Sequence, residues 1–569
     1  MQYKKEKDIL IKCIIIFFAF LSVLWMLTQN NSLTYDDFTT IANARFTDYS
    51  KLFHFLPTKS YNDRPIGLMF IKMLDSMFGL NYQLYHIVFA IIHMINIYMV
   101  YRISQFIFNK NQEYALVPAA IFGIYPISLM AVSWISAVYD LLCCTFLLLS
   151  TLFFLKCIYQ ENYKIYNEIM SCFFFYIALR SKEMALILPI IFILYLIGIL
   201  KNDFLHSRQK YILKFHFCIM FIYTFMLFNG GRDTIPKDNP YYQNFSPISL
   251  IQNAIKYLFI YFDWGNSTFG FRGYTWSAFI GVLAFIVVVI YSLYRLVKKD
   301  SCLFLSILAV GVSLAVVLPM VNMQHRLYLY IPSIFVGIMC AIFLLNLGSS
   351  LYNFSIYRVT LYLIGIAYLI NFTPGYIDYR NNWLHVCQND AKQLSQLEKL
   401  IPPAKGATVY VTNASEGYNI FYYGPGNSLR LLFNDSDLKI NLVDTFPENP
   451  EPPYLLLNYN QADIIEMGRD DTPEQIFPPE IVSVYPEKID TTASEEEFIL
   501  IGVVPTVIHN NLKIVVNGTI YDNTTIGSEF ISTAVPRIII KNDKPLELKL
   551  LDTGTGLYSG PVYIGGGND

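Results

Sequence analysis

The stretch YQLYHIVFAIIHMINIYMVYRISQF, residues 82–106, decides the class of this protein. It holds one charged side chain, that of Arg102. An apolar run of 18 or more residues is long enough to cross the hydrocarbon core of a bilayer, which is about 30 Å thick, as a helix. Similar runs recur through the first two thirds of the chain. The sequence therefore predicts a polytopic membrane protein.

The composition agrees with this prediction. The 569 residues are 54% hydrophobic and only 15% charged, whereas soluble globular proteins are about 25% charged. A net charge of −2 argues against a nucleic-acid partner. The nine cysteines show neither the spacing of a zinc site nor that of a disulfide framework.

The apolar runs predict about 11 transmembrane helices. They lie at 9–28, 82–106, 115–129, 136–157, 165–180, 184–201, 211–229, 274–296, 303–322, 327–347 and 355–372. The first run follows a basic segment and has no small-residue cleavage site after it, so it predicts a retained signal anchor. The stretches 65–78 and 247–263 predict helices that lie in the membrane interface.

Basic residues near the span ends predict the topology. Lys4, Lys5 and Lys7 place the N-terminus in the cytoplasm, and the later clusters of Lys and Arg agree with that orientation. With 11 spans in the cytoplasmic membrane, the loops 29–81 and 230–273 and the C-terminal part face the exoplasmic (periplasmic) side.

Three domains are expected along the chain. Residues 1–374 form the all-α, multi-pass membrane domain. Residues 375–477 become polar and combine a helix with alternating strands, which predicts a small exoplasmic α/β domain. From residue 478 to 569, short strands recur every 8–12 residues with turn residues between them, which predicts an Ig-like β-sandwich.

Charged residues gather in the loops predicted to face the exoplasmic side. They are Asp36, Asp37, Asp63, Arg64, Arg180, Lys182, Glu183, His325 and Arg326. Charges at the edge of a membrane span are costly unless they are paired or hydrated, so each is a candidate for function. A carboxylate can take a proton from an attacking hydroxyl, and Arg and Lys can hold a phosphate. A polyprenyl-phosphate sugar would use both groups.

The motifs in these regions resemble a known family. In order, they are YDDFTTIAN, NDRPIGLMFIKML, YQLYHIVFAIIH, IFGIYPISLMAVSWISAVYDLL, KEMALILPI and HRLYLYIPS. Over residues 10–372 they resemble the membrane half of the GT-C glycosyltransferases, and in particular the protein O-mannosyltransferase-like group. The last strands, from PPEIVSVYP to ISTAVPRIII, resemble an IPT/TIG domain.

The resemblance implies a reaction and roles for single residues. A hexose-type sugar would move, with inversion, from a polyprenyl phosphate to a hydroxyl acceptor on the exoplasmic face. Asp36 or Asp37 would act as the catalytic base or position the acceptor. The residues expected to hold the donor phosphate are Arg64, Lys182 and Arg326. Supporting roles fall to Glu183, His86, Asp140 and His325.

Cofactor, carrier and acceptor are less fixed by the sequence. The resemblance implies no metal, and Mg²⁺ or Mn²⁺ at Asp36 and Asp37 is the alternative, because both ions prefer oxygen ligands. A composition rich in Lys, Asn, Ile and Tyr is typical of an AT-rich bacterium and predicts undecaprenyl phosphate as the carrier. The acceptor is a glycan, a lipid-linked saccharide or a protein.

Two other functions remain open at this point. One is a transporter or flippase of lipid-linked saccharides, whose charges would lie near the bilayer midplane. The other is a non-catalytic surface scaffold or sensor that works through its β-rich C-terminal part. That alternative predicts that the membrane half tolerates the loss of Asp36, Asp37 and Arg326.

Overall fold

The computed structural model of the chain describes most of its residues. They are 33–34, 36–52, 54–57, 63–108, 112–125, 127–159, 164–199, 207–229, 236–262, 276–350, 377, 381–414, 420–421, 426–460, 463–471, 480–486, 488–489, 498–505, 511–527, 530–536, 545–553 and 558–566. The predicted spans 9–28 and 355–372 lie outside these residues, as does the stretch 537–542 of the region predicted to form the β-sandwich.

The first 350 residues are mainly helical. The α-helices are α1 (Asp37–Phe46), α2 (Tyr49–Leu52), α3 (Pro65–Phe78), α4 (Tyr82–Ile107), α5 (Gln112–Ile124), α6 (Ile127–Ser133), α7 (Val138–Tyr159), α8 (Ile165–Ser181), α9 (Leu188–Ile199), α10 (Ser207–Asn229), α11 (Pro247–Phe262), α12 (Trp276–Val297), α13 (Cys302–Leu314) and α14 (Pro332–Ser350). Short 3-10 helices occupy Ile135–Ala137, Glu183–Ile187 and Arg326–Leu329.

Several of these helices suit a bilayer. Among the described residues, Tyr82–Ile107, Ile135–Tyr159 and Ala278–Val297 are long and apolar enough to cross a membrane. Shorter apolar helices occupy Tyr114–Gly123, Glu183–Gly198, Tyr211–Leu227, Cys302–Leu314 and Pro332–Leu347. A multi-pass membrane protein is the architecture that such helices form. The number of spans, about 11, stays a prediction.

Two helices of the bundle approach closely at Gly337. A Cβ atom added there would lie 2.7 Å from the Cα atom of Pro118, which stands inside α5. Small residues allow such backbone contact between membrane helices. Because the neighbour is backbone and cannot move aside, α14 can pack here only with glycine.

We expect Gly337→Ala to lower the free energy of unfolding by about 1–3 kcal/mol, the usual cost of overpacking. Gly311→Ala is the matched control, because a Cβ atom added at Gly311 in α13 meets nothing within 4 Å. Thermal unfolding in detergent compares the two variants. Equal melting temperatures would contradict the close approach.

The amphipathic stretches form the helices expected of them. α3 begins at Pro65, the first helical position that proline favours, and α11 begins at Pro247. α3 packs against α1, and the Lys72 ammonium in α3 donates to the carbonyls of Ala44, Arg45 and Thr47 at 3.0, 3.0 and 2.7 Å. A cation at a helix C-terminus satisfies carbonyls that have no intrahelical partner. Lys72 thus stabilises the end of α1.

The polar segment after the membrane helices has an α/β fold, as its sequence predicts. A helix, α15, spans 381–397. It precedes a sheet of β1 (Thr408–Thr412), β2 (Lys439–Val443), β3 (Tyr454–Asn460) and β4 (Asp463–Asp470) in the order β2-β1-β3-β4. β1 and β2 are parallel and joined through α16 (Asn427–Phe433), as parallel neighbours require a crossover.

The C-terminal residues form two further sheets. One has the strand order β10-β11-β7-β5 and the other β6-β13-β12-β8-β9. The strands are β5 (Ile481–Tyr485), β6 (Lys488–Ile489), β7 (Phe498–Pro505), β8 (Leu512–Val516), β9 (Thr519–Ile520), β10 (Thr525–Ile526), β11 (Ile531–Pro536), β12 (Leu546–Asp552) and β13 (Val562–Gly566). Both sheets contribute alternate side chains to one hydrophobic core, which is the arrangement of a β-sandwich.

The chain divides into two compact units. The first comprises Met1–Glu448 with Leu456–Gly468, and the second Asn449–Leu455 with Arg469–Asp569. Within its described residues, the first unit therefore joins most of the α/β segment to the membrane helices.

Candidate active site

Asp36 and Asp37 stand at the start of α1 in different surroundings. Asp36 is exposed, whereas Asp37 is fully buried. The Asp37 carboxylate accepts a hydrogen bond from the backbone N–H of Ser136 (2.8 Å) and one from the N–H of Thr34 (3.2 Å). Asp37 thereby ties the start of α1 to the segment that precedes α7. Asp36 makes no side-chain capping bond at this helix start.

The protein around the two carboxyls changes their acidity. Burial raises the pKa of Asp37 to about 8, although the hydrogen bonds from Ser136 and Thr34 act in the opposite direction. Burial also raises the pKa of Asp36, whose side chain is nevertheless exposed. Asp36 is thus accessible to solvent and partly desolvated by the protein around it.

The buried carboxyl of Asp37 makes stability depend on pH. Its pKa is about 8 in the folded chain and 3.8 in the reference state, so the unfolded chain loses this proton first as pH rises. The stabilisation that the Asp37 proton provides is therefore largest below pH 3.8, and it declines as the pH rises to about 8. We expect the melting temperature of the wild type to fall with rising pH more steeply than that of Asp37→Asn. Thermal unfolding across this range measures both slopes, and equal slopes would contradict this behaviour.

Arg64 precedes α3 and pairs with Glu183, which begins the 3-10 helix after α8. Its Nε and Nη2 atoms donate to the two carboxylate oxygens at 3.2 and 2.7 Å, a bidentate geometry. Burial lowers the pKa of Arg64, but the charge of Glu183 outweighs it and raises that pKa above its ordinary value. Burial acts to raise the pKa of Glu183, and Arg64 with Lys182 holds it below its ordinary value. Both partners are therefore ionised.

Lys182 forms a second ion pair beside the first. Its Nζ atom donates to Oδ2 of Asp140 at 2.6 Å, and the two side chains are only 5% and 3% exposed. The ammonium also lies 4.8 Å from the centre of the Tyr328 ring, within the range of a cation–π contact. The structure thus gives Asp140 a basic partner, and it brings two cations from different loops to neighbouring positions.

Tyr139 connects the helix that carries Asp36 with Arg64. Its hydroxyl is hydrogen-bonded to Thr40 in α1, and the charges of both Asp36 and Arg64 act on it. The Arg64 guanidinium lies 5.5 Å from the centre of the ring. Gly67 leaves the space for this ring, since a Cβ atom there would lie 2.4 Å from Cδ1 of Tyr139. Tyr139 therefore lies between α1 and the Arg64 ion pair.

His325 and Arg326 are both buried at the start of the 3-10 helix before α14. The His325 Nδ1 atom accepts a hydrogen bond from the N–H of Leu327 at 3.2 Å, and its ring packs 5.5 Å from that of Trp134. Burial, followed by the charges of Lys182 and Arg326, lowers the pKa of His325 to about 3. His325 is therefore neutral at physiological pH. Arg326 begins the same 3-10 helix that carries Tyr328, the ring beside the Lys182 ammonium.

His86 and His93 are both buried in α4. The Nδ1 atom of His86 lies 2.9 Å from the carbonyl oxygen of Val132. The Nδ1 atom of His93 lies 2.7 Å from the hydroxyl of Tyr330. Both histidines therefore join helices of the bundle, and the supporting role of His86 at the donor stays a prediction.

The described residues contain no group of three or more His, Cys, Asp and Glu side chains that could hold a metal ion. Both oxygens of Asp37 accept backbone N–H groups. Mg²⁺ or Mn²⁺ at Asp36 and Asp37 stays a prediction.

Two further ion pairs lie in this part of the structure. Arg45 in α1 makes a bidentate pair with Asp75 in α3, at 2.9 and 2.6 Å. The fully buried Arg180 donates to Asp63 (3.0 Å) and to the carbonyl of His54 (2.9 Å). The sequence feature that could have singled out Asp75 is that it is the one acidic residue in the mainly apolar stretch 65–78. The first pair joins two helices of the stretch 29–81, and the second fastens that stretch to α8.

Part of the chain is similar to a known protein family. Residues 62–241 match the model of the family described as Dolichyl-phosphate-mannose-protein mannosyltransferase. The match spans about a third of the chain and confirms the resemblance over these residues. It includes Arg64, Asp140, Lys182 and Glu183, whereas Asp36 lies outside it. No curated protein matches the chain.

Solved structures of ArnT from Cupriavidus metallidurans also show similarity to the chain. The crystal structure in the apo state is 11% identical, covers 78% of this chain and 86% of that chain, and has a TM-score of 0.42. The crystal structure bound to Undecaprenyl phosphate is 12% identical, covers 76% of this chain and 86% of that chain, and has a TM-score of 0.40.

Proposed function

We propose that this protein is a membrane glycosyltransferase that transfers a hexose-type sugar from a polyprenyl phosphate to a hydroxyl acceptor on the exoplasmic face. One observation carries the proposal: Tyr139 is hydrogen-bonded to Thr40 in α1, the helix that begins just after the exposed Asp36, and its ring lies 5.5 Å from the Arg64 guanidinium. The match of residues 62–241 to a mannosyltransferase family supports the same reaction class.

Asp36 is the proposed general base. It is the accessible acid of the pair, whereas both oxygens of Asp37 are engaged by backbone N–H groups. Its raised pKa makes its carboxylate a better proton acceptor than an ordinary aspartate, because a base is most effective when its pKa approaches the working pH. Asp37 is assigned to holding the start of α1.

The reaction follows from these positions. The acceptor hydroxyl gives its proton to Asp36 while its oxygen attacks the anomeric carbon of the sugar. The bond from that carbon to the phosphate oxygen breaks, and the electron pair leaves with the polyprenyl phosphate. Attack from the face opposite to the leaving group inverts the anomeric carbon. The leaving phosphate gains a negative charge, so cations are required beside it.

Arg64 and Lys182 are the proposed phosphate ligands, together with Arg326. A guanidinium has five N–H donors and an ammonium has three. The bidentate pair with Glu183 and the bond to Asp140 engage only some of them. Glu183 and Asp140 hold the cations in place before the donor arrives, which lowers the reorganisation needed during the reaction.

The carrier and the surroundings complete the proposal. The lipid tail stays in the bilayer of the cytoplasmic membrane, and the composition supports undecaprenyl phosphate as the carrier. A cell-surface glycan, a lipid-linked saccharide or a protein receives the sugar. No metal takes part in the proposed reaction.

A direct assay tests this function. The purified full chain is reconstituted in liposomes with undecaprenyl phosphate that carries labelled mannose or glucose, and with membranes from a strain that lacks the protein as the acceptor pool. We expect label to move from the carrier into the acceptor pool with one of the sugars. If all label stays on the carrier, or appears only as free sugar, the proposal is wrong.

A further inference from the structure

The helix α16 of the α/β segment lies against α1, the helix that carries Asp36 at its start. Both helices belong to the same compact unit of the chain. Gly426 fixes the start of α16: its φ is 81°, and a Cβ atom there would lie 2.3 Å from the side chain of Ile440 in β2. The sheet of the α/β segment thus sets where α16 begins.

The first contact lies beside Asp36. The Nδ2 atom of Asn427 donates to Oγ1 of Thr39 at 3.3 Å. Thr39 is three residues after Asp36, and residues at this spacing share one face of a helix. The Asn427 amide is held in turn by Arg430, which donates to its Oδ1 atom at 3.1 Å. An oriented side chain of α16 therefore reaches the face of α1 on which the proposed base stands.

The second contact lies at the other end of α1. Nη1 of Arg45 donates to the carbonyl of Leu431 at 3.0 Å, which belongs to the last turn of α16. The same guanidinium holds Asp75 through its other N–H groups. The same carbonyl accepts the N–H of Asn434 at 3.3 Å. Carbonyls at a helix C-terminus carry a partial negative charge, so a cation is favoured there. Arg45 thus fastens α1 to α16 and to α3 at once.

We propose that the α/β segment is a working part of the transferase, in which α16 forms the acceptor-side wall beside Asp36 and Asn427 and Arg45 act as positioning residues. This inference rests on the proposed function. The contacts are directional hydrogen bonds at both ends of α1, and one lies a single turn from the base. A catalytic group must be held within a fraction of an ångström of its working position.

The exposed side of α1 indicates why an acceptor that reaches Asp36 would contact α16. Asp36 and Asn43 are exposed and Thr39 is half-buried, so these positions form the accessible stripe of the helix. The opposite positions Phe38, Ile41 and Ala44 are buried against the bundle. A hydroxyl that reaches Asp36 must therefore approach along the stripe that α16 partly covers. The partial desolvation of Asp36 agrees with such a cover.

The test uses the full chain with three changes. Asn427→Ala removes the contact with Thr39, and Arg45→Lys keeps a cation for Asp75 but not the geometry that also reaches Leu431. The control is Lys392→Ala, which breaks an exposed ion pair with Asp463 elsewhere in the same segment. Transfer of hexose from undecaprenyl phosphate to the membrane acceptor pool is measured together with hydrogen exchange at the α1 amides.

We expect Asn427→Ala and Arg45→Lys each to lower kcat by about tenfold, and the double variant by more, because small displacements of a catalytic group are costly. The KM for the carrier and the melting temperature should stay near those of the wild type. Exchange at Asp37–Phe46 should become faster. Asn427→Gln, which restores an amide donor, should recover much of the rate, whereas Lys392→Ala should resemble the wild type.

Three results would overturn the inference. The first is a double variant with the transfer rate of the Lys392→Ala control, whatever happens to exchange. The second is an equal loss of rate in the control, which would indicate general damage to the segment. The third is a wild type that transfers no sugar. That result defeats the proposed function as well, and faster α1 exchange in the double variant would then show that the contacts are structural only.

Discussion

Replacing Asp36 with Asn should reduce sugar transfer by about 10²–10⁴-fold, the contribution typical of a general base. The variant keeps the shape of the side chain and loses only the ability to take a proton. Because Asp36 is exposed and makes no capping bond, the fold should melt at nearly the same temperature. Steady-state transfer from undecaprenyl-phosphate hexose measures the effect, with carrier binding measured in parallel.

Asp37→Asn is the matched control for this experiment, since it makes the same chemical change one residue away. Asn offers one acceptor oxygen where Asp37 uses two for the N–H groups of Ser136 and Thr34. A backbone N–H left unsatisfied in a buried position costs about 1–3 kcal/mol. We therefore expect Asp37→Asn to lower the melting temperature, whereas Asp36→Asn should leave it nearly unchanged. A stable Asp37→Asn protein without activity, beside an active Asp36→Asn protein, would reverse the two assignments.

Lys182→Met should have the largest effect on stability. It leaves the carboxylate of Asp140 buried at 3% exposure without its partner, and removal of one member of a buried ion pair usually costs about 3–5 kcal/mol. Transfer should also fall, because the leaving phosphate loses a cation. Thermal unfolding in detergent and steady-state transfer measure the two effects.

A double variant separates the structural effect of Lys182 from its effect on the reaction. Lys182→Met/Asp140→Leu removes both charges of this pair, and apolar replacements of an ion pair are often as stable as the pair itself. We expect the melting temperature to recover while transfer stays low. Recovery of both would show that Lys182 serves only to balance Asp140.

The sequence predicts the elements near the site well. The stretch 65–78 was expected to form a helix from Pro65, and α3 spans Pro65–Phe78. α11 ends at Phe262, where 247–263 was expected. Such helices follow from local signals, namely an apolar face and a proline at the first turn. The span at 82–106 has the length and hydropathy of a membrane helix for the same reason.

The partners within the site could not be predicted in the same way. Charges on several exoplasmic loops were expected to converge, but the pairing of Arg64 with Glu183 joins residues 119 positions apart. Lys182 takes Asp140 instead of its neighbour in sequence, Glu183, as its hydrogen-bond partner. These choices depend on how the helices pack, because periodicity assigns a residue to a face but not to a partner.

Asp36 and Asp37 illustrate the same limit of prediction from sequence. Adjacent helical residues point about 100° apart, so one of them was expected to face the substrate. The sequence could not say which. Packing against Ser136 buries Asp37 and leaves Asp36 accessible. The contact of α1 with α16, between residues 388 positions apart in the case of Thr39 and Asn427, had no local signal at all.

A single-turnover experiment tests the central claim most directly. Wild type and Asp36→Asn, each in excess over labelled undecaprenyl-phosphate hexose, are mixed with the acceptor pool, and the sugar that remains on the carrier is followed with time. Excess protein separates binding from chemistry. The account predicts that both proteins bind the carrier equally, and that only the wild type removes its sugar rapidly. Equal rates of sugar loss in the two proteins would contradict it.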